Sequence, residues 1–162
     1  MNTTNMPDLS ASSDWIVLKP HSSIHSFSFV SGGSGSSRLR VKYYRNRTDN
    51  RFMGRVWFGP HAEGPPGRVH GGAIAAVLDD GMGAAAFFAG YRAITARLRL
   101  RLKKMIPVDT VLTLEAWEVR VKGEAVIMEG RLVDAVDNIC CQAEGLFIKL
   151  SPKDFGAELV DM

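Results

Sequence analysis

The chain has 162 residues, 46% hydrophobic and 23% charged, with a formal net charge of +3. That length suits one domain with a substantial core and excludes two full ones, and so mild a basic excess excludes the electrostatic footprint of a nucleic-acid binder. The two cysteines, Cys140 and Cys141, are adjacent and build no disulfide framework or metal-ligand spacing, which favours a reducing compartment with the cytoplasm as default.

Residues 1–37 are rich in Ser, Asn, Thr and Gly and read as a flexible N-terminal segment, with 31–37 as a linker; 38–162 is then the domain. No basic-then-apolar leader opens the chain, and no uncharged apolar run marks a membrane span. Within the first segment Trp15, Ile16, Val17 and Leu18 are apolar enough to dock onto the domain. His21 and His25 have no matching carboxylate or cysteine and read as surface residues. From Arg38 the pattern changes: Leu39, Val41 and Tyr43 alternate with Arg40, Lys42 and Tyr44, as in a half-buried strand. A polar turn over 46–50 leads to a second strand over 52–58, and the two form a hairpin. The Gly- and Pro-rich stretch 59–67 is a stiff loop.

The segment 73–89 reads as a helix that is apolar on nearly all sides and therefore buried. Gly81 and Gly83 weaken it by about 1 kcal/mol each relative to Ala, which points to close packing or a ligand. Four strands follow, over 93–103, 111–121, 125–135 and 138–150, with short links that predict an antiparallel meander. A long antiparallel sheet around one apolar helix is an α+β architecture, and the absence of βαβ alternation excludes a doubly wound fold.

Three features carry chemistry. Gly71 and Gly72 clear the helix N-terminus of side chains, where unpaired N–H groups and the helix dipole can polarise a carbonyl oxygen and stabilise an oxyanion. An aspartate within an apolar helix is costly unless paired or functional. Asp79 and Asp80 both qualify, and periodicity does not choose between them. Asp79 lies nine residues beyond His70, about two and a half turns, so it meets a helix N-terminus only if a second subunit's helix packs antiparallel. Finally, Arg97, Arg99, Arg101 and Lys103 alternate with leucines, a single-sign stripe that suits phosphates.

The run Glu63-Gly64-Pro65-Pro66-Gly67-Arg68-Val69-His70-Gly71-Gly72-Ala73-Ile74-Ala75-Ala76-Val77-Leu78-Asp79 closely resembles the hotdog thioesterase superfamily. It looks most like the branch of the phenylacetate-pathway thioesterase and of thioesterase superfamily members four and five, and the likeness runs from Phe52 to Leu150. The resemblance implies a hotdog fold and hydrolysis of an acyl-CoA thioester to free acid and coenzyme A. No separate cofactor is implied, because coenzyme A is part of the substrate. It implies a homodimer or a dimer of dimers with shared sites. It makes Asp79 the catalytic carboxylate, as general base or as nucleophile, in preference to Asp80. It aims the Gly72 amide at the thioester oxygen, lets His70 orient the turn or bind that oxygen, and has Thr95 help place the attacking water. Arg101 and Lys103 fall at the coenzyme contacts, and Met82, Phe87 and Phe88 are candidate walls of the acyl pocket. The chain departs from the family at Glu124, where some relatives are basic, at Met105, where a proline is usual (Pro107 follows), and at Gly64, where some branches carry asparagine. Two other readings compete. A non-catalytic acyl-CoA binder gives no reason to bury Asp79, and a hydratase needs a histidine–carboxylate pair that His70 in its glycine turn does not suit.

Overall fold

A computed structural model describes residues 7–19, 28–30 and 36–154. Its strands are β1 (Trp15–Leu18), β2 (Leu39–Asn46), β3 (Phe52–Phe58), β4 (Ala93–Leu102), β5 (Thr110–Lys122), β6 (Ala125–Val133) and β7 (Ile139–Lys149), with one long helix, α1 (Gly71–Phe88), between β3 and β4. All pairings are antiparallel, in one seven-stranded sheet of order β1-β2-β3-β5-β6-β7-β4. The hotdog fold expected from the sequence is the fold observed.

The meander holds only for β5, β6 and β7. β4 does not pair with the strand that follows it but crosses over to β7, with Ile94 opposite Ile148 and Leu102 opposite Cys141. The link after β4 is held at both ends: Lys103 and Lys104 N–H donate to the Cys140 carbonyl, and Pro107 bridges to Arg68. β4 is therefore an edge strand, which leaves one row of its backbone groups without an in-sheet partner.

The core lies between the sheet and α1, where Val77, Leu78 and Met82 of the helix meet Leu112, Leu114, Met128 and Phe147, all within 1% of complete burial. Gly81 permits the approach: a Cβ there would stand 2.5 Å from Leu114 Cδ1. Length and composition alone would let α1 cross a membrane, but the sheet covers it and eight of its residues are buried, so it is the domain's core helix. The helix is not covered all round. Gly72 is exposed, and Ala76, Asp79, Asp80 and Gly83 are half-buried.

The N-terminal segment, set apart in the sequence as flexible, contributes β1 to the sheet edge through Trp15–Leu18. Tyr44, on the polar side of the β2 alternation, is 2% exposed because this segment covers it: its hydroxyl donates to the Leu9 carbonyl and Trp15 packs on its ring at 5.6 Å. His21, His25 and linker residues 31–35 lie outside the described residues.

Candidate active site

The loop before α1 is a tied structure. His70 N–H donates to the Ala62 carbonyl at 2.8 Å, Gly64 N–H to Arg68 at 2.8 Å, and Val69 N–H to Ile106 at 2.9 Å. Gly67 supplies a φ of +70°, a conformation natural to glycine. Gly64 explains the departure at its position: a Cβ there would stand 2.9 Å from the His70 Cα, so this backbone has no room for asparagine.

His70 is the N-cap of α1, which begins two residues earlier than the apolar pattern suggests. Its Nδ1 accepts the Gly72 N–H at 2.9 Å, so a neutral ring carries its proton on Nε2. The Gly72 amide, expected to face a thioester oxygen, is thus engaged by the histidine ring in this structure. An unpaired helix-start donor takes a nearby acceptor, and here the histidine ring is that acceptor. Among the described residues the Gly71 N–H makes no hydrogen bond, and it is the donor at this helix start that remains open.

Asp79 and Thr95 come together. The Thr95 hydroxyl donates to Asp79 Oδ1 at 2.6 Å. Strict alternation of β4 would place Thr95 with Arg97 and Arg99, on the face away from the helix. A β-bulge between Thr95 and Arg97 shifts the register by one residue and turns Thr95 toward α1, as bulges beside functional sites do.

Asp80, one residue on, serves the opposite flank. It accepts a short hydrogen bond from Tyr43 of β2, a side chain 2% exposed. Burial pushes the Asp80 carboxyl above its ordinary value and the neighbouring Asp79 charge adds to that, while the Tyr43 hydrogen bond opposes it. Tyr43 itself is raised well above its usual value, by burial first and then by Asp80. Gly54, opposite Tyr43 in the register, makes room for the ring, which passes 3.2 Å from where its Cβ would be. The patterning of β2 placed Tyr43 on the buried face, but only the three-dimensional structure pairs it with Asp80.

The basic stripe divides. Arg97 and Arg99 share Glu144, at 3.8 and 4.0 Å. Arg101 and Lys103 are exposed and make no ion pair among the described residues. Leu102, between them, lies 3.4 Å from where a Gly71 Cβ would be, so this end of β4 reaches the helix start. The candidate acyl walls are not one wall. Met82 is fully buried in the core, Phe87 and Phe88 are 37% and 39% exposed, and of the three Phe88 alone lines a cavity of about 520 Å³ near the C-terminal end of α1. No group of three or more His, Cys, Asp or Glu residues among the described residues has the geometry to hold a metal ion.

Residues 66–141 match the family model described as "Thioesterase superfamily". An acyl-coenzyme A thioesterase THEM4 of Xenopus laevis is 32% identical over 110 residues, 67% of this chain and 50% of that protein. Human acyl-coenzyme A thioesterase THEM5 is 36% identical over 70 residues, 43% of this chain and 28% of that protein. Among solved structures, a Bacillus halodurans protein crystallised with CoA is 29% identical with a TM-score of 0.58, the match covering 65% of this chain and 71% of that one. The chain spans about half the length, or less, of these curated relatives.

Proposed function

The chain belongs to the thioesterase superfamily, and from that premise we propose that it hydrolyses acyl-CoA thioesters in a site shared by two copies. The observation that carries this reading is the Thr95–Asp79 hydrogen bond on the helix flank that also carries the glycine turn. Gly72 and Asp79 are seven residues apart, so they share a face but stand about 10 Å apart along the axis. One thioester carbonyl cannot bridge that gap. A second α1 packed antiparallel on this face brings each Asp79 beside the other copy's glycine turn. The two-fold axis then falls at Ala75 and Ala76, whose small side chains suit close approach. β4 offers the rest of such an interface: Ile94, Leu100 and Leu102 are 56%, 36% and 54% exposed, and its outer edge pairs with no strand among the described residues. Oligomer formation is thus part of the proposal.

In this scheme the thioester oxygen lies at the glycine turn, held by the Gly71 N–H and by the Gly72 N–H once His70 yields it. The partial positive charge of the helix start favours the oxyanion. Thr95 fixes the rotamer of Asp79. As general base, Asp79 takes a proton from water while the water oxygen bonds to the carbonyl carbon; the C–S bond breaks and the thiolate takes up a proton. As nucleophile, an Asp79 oxygen bonds to the carbonyl carbon, the C–S bond breaks to release the thiolate, and water opens the resulting anhydride to the free acid and the Asp79 carboxylate, its spare proton going to the thiolate. Arg101 and Lys103, near the end of β4 and without an ion pair among the described residues, supply charge for the coenzyme's phosphates. The free buried thiols Cys140 and Cys141, the latter pushed up to about 11 by burial, suit a reducing compartment.

The test is thiol release from short, medium, long and aromatic acyl-CoAs, with Asp79→Asn in parallel and sedimentation to give the oligomeric state. Turnover lost in the variant, by a protein at least dimeric, is the expected result. No release from any substrate would leave a non-catalytic acyl-CoA binder as the better reading. A fully active monomer would refute the shared site.

A further inference from the structure

We infer that the cavity at the C-terminal end of α1 is a second ligand site, separate from the Asp79 flank, that binds the anion of a medium-length fatty acid. The cavity measures about 520 Å³, within the range of small-molecule sites. Its apolar lining comes from Leu18, Phe52, Met53, Phe88, Trp117 and Met128. It sits against β3, β5 and β6, whereas Asp79 faces β4 at the far edge of the sheet. Around the helix, Phe88 is half a turn from Asp79, so in one chain the cavity does not open beside that carboxylate. β1 supplies one wall through Leu18, and the Phe52 and Phe88 rings stack at 6.1 Å to form another.

The rim selects charge. Arg131 pairs with Glu115 at 2.5 Å and Arg51 with Asp49 at 2.6 Å, while Glu118, on β5 beside Tyr91, makes no ion pair among the described residues. Arg45, on β2 opposite Phe52, lines the same cavity and makes no ion pair among the described residues. A carboxylate at the mouth meets this unmatched guanidinium. Its alkyl chain points inward toward Ala85 and Ala89, because the negative end of the helix dipole disfavours an anion there. An apolar chamber with a guanidinium free for an ion pair on the β2 side of its mouth, and Glu118 on the β5 side, suits an alkyl tail whose single carboxylate sits at Arg45, and suits a dianion less because Glu118 repels a second negative charge. The inference does not require the hydrolytic reading, although a fatty acid is also the product class of that reaction.

The test is saturable quenching of tryptophan fluorescence by an ω-brominated decanoate, since Trp117 lines the cavity, with unlabelled decanoate and 1-decanol as competitors. Decanoate should compete at least tenfold better than decanol in the native protein. Arg45→Gln should weaken decanoate about tenfold and leave decanol unchanged. Ala89→Trp, at an exposed position lining the cavity, should abolish quenching by filling it. Thiol release by both variants is measured alongside and is expected to persist. Failure of hydrolysis with binding intact sinks the proposed function alone. Absence of saturable quenching, binding indifferent to both substitutions, or displacement by a non-hydrolysable decyl-CoA thioether overturns the separate site. The last result would make the cavity the acyl end of the active site.

Discussion

Tyr43→Phe removes one hydroxyl, and the structure says what that should cost. The ring is 2% exposed and its hydroxyl donates to Asp80, so the variant leaves a half-buried carboxylate without a donor. Hydrogen bonds to charged groups contribute about 1.5–3 kcal/mol, and for a chain of this size each kcal/mol moves Tm by roughly 2–4 °C. The expected loss at pH 7.5 is therefore about 3–12 °C. The loss should also depend on pH. Because burial raises Asp80, the folded state retains its proton above the unfolded value. Its contribution to stability is thus full below the ordinary carboxylate range and is lost as pH rises through the folded value. At pH 3, below even the ordinary carboxylate value of 3.8 that burial raises further, the carboxyl is largely neutral and the bond to Tyr43 is a neutral one, so the deficit of Tyr43→Phe should shrink to about 0.5–1.5 kcal/mol. Asp80→Asn keeps an acceptor and removes the charge; in that background Tyr43→Phe should cost the smaller amount at both pH values. Urea denaturation of the four proteins closes the cycle. Equal cost in both backgrounds and at both pH values would refute the argument that Tyr43 serves to solvate a buried charge.

Four further outcomes are expected. Asp79→Asn should lower thiol release at least about 100-fold with Tm changed little, as checked by stopped thiol assays and thermal melts. Thr95→Val should lower kcat about tenfold, the loss of one hydrogen bond of about 1.4 kcal/mol, with KM unmoved, while Thr95→Ser retains most of the rate. Gly72→Ala places a Cβ 3.0 Å from His70 Nδ1 and should displace the cap, costing about 0.5–2 kcal/mol of stability and lowering kcat/KM. Gly81→Ala should destabilise by about 1–3 kcal/mol, because its Cβ meets Leu114 at 2.5 Å and this overpacking outweighs the gain of about 1 kcal/mol in helix propensity; Leu114→Val in the same chain should recover part of the loss in a urea melt.

What could be read from the sequence follows from the range of the interactions involved. The helix, the β2–β3 hairpin and the later strands declare themselves through local periodicity, and each appears within two residues of its expected bounds. The pairing of β4 with β7 rests on residues some fifty positions apart, such as Ile94 and Ile148, and no local pattern encodes it. The bulge that turns Thr95 toward Asp79 is likewise invisible in a strand whose residues alternate from Arg97 onward. The glycine turn reads clearly as an anion-friendly helix start, but that His70 occupies the Gly72 amide is a matter of one side-chain rotamer.

The two adjacent aspartates hold information that residue type alone does not release. Consecutive helix residues point about 100° apart, yet Asp79 bonds to Thr95 on the last strand in the sheet order and Asp80 to Tyr43 on the second. A flat sheet, with strands about 4.8 Å apart, would put those two strands more than 20 Å from each other, beyond the reach of neighbouring short side chains on one helix. Both bonds form only if the sheet curls until its β2 and β4 ends stand on either side of α1. The pair thus reports the wrap of the sheet, and it separates two roles that composition leaves merged: Asp80 ties the helix to the β2 side, and Asp79, with Thr95, is left on the flank that the proposed second copy would meet.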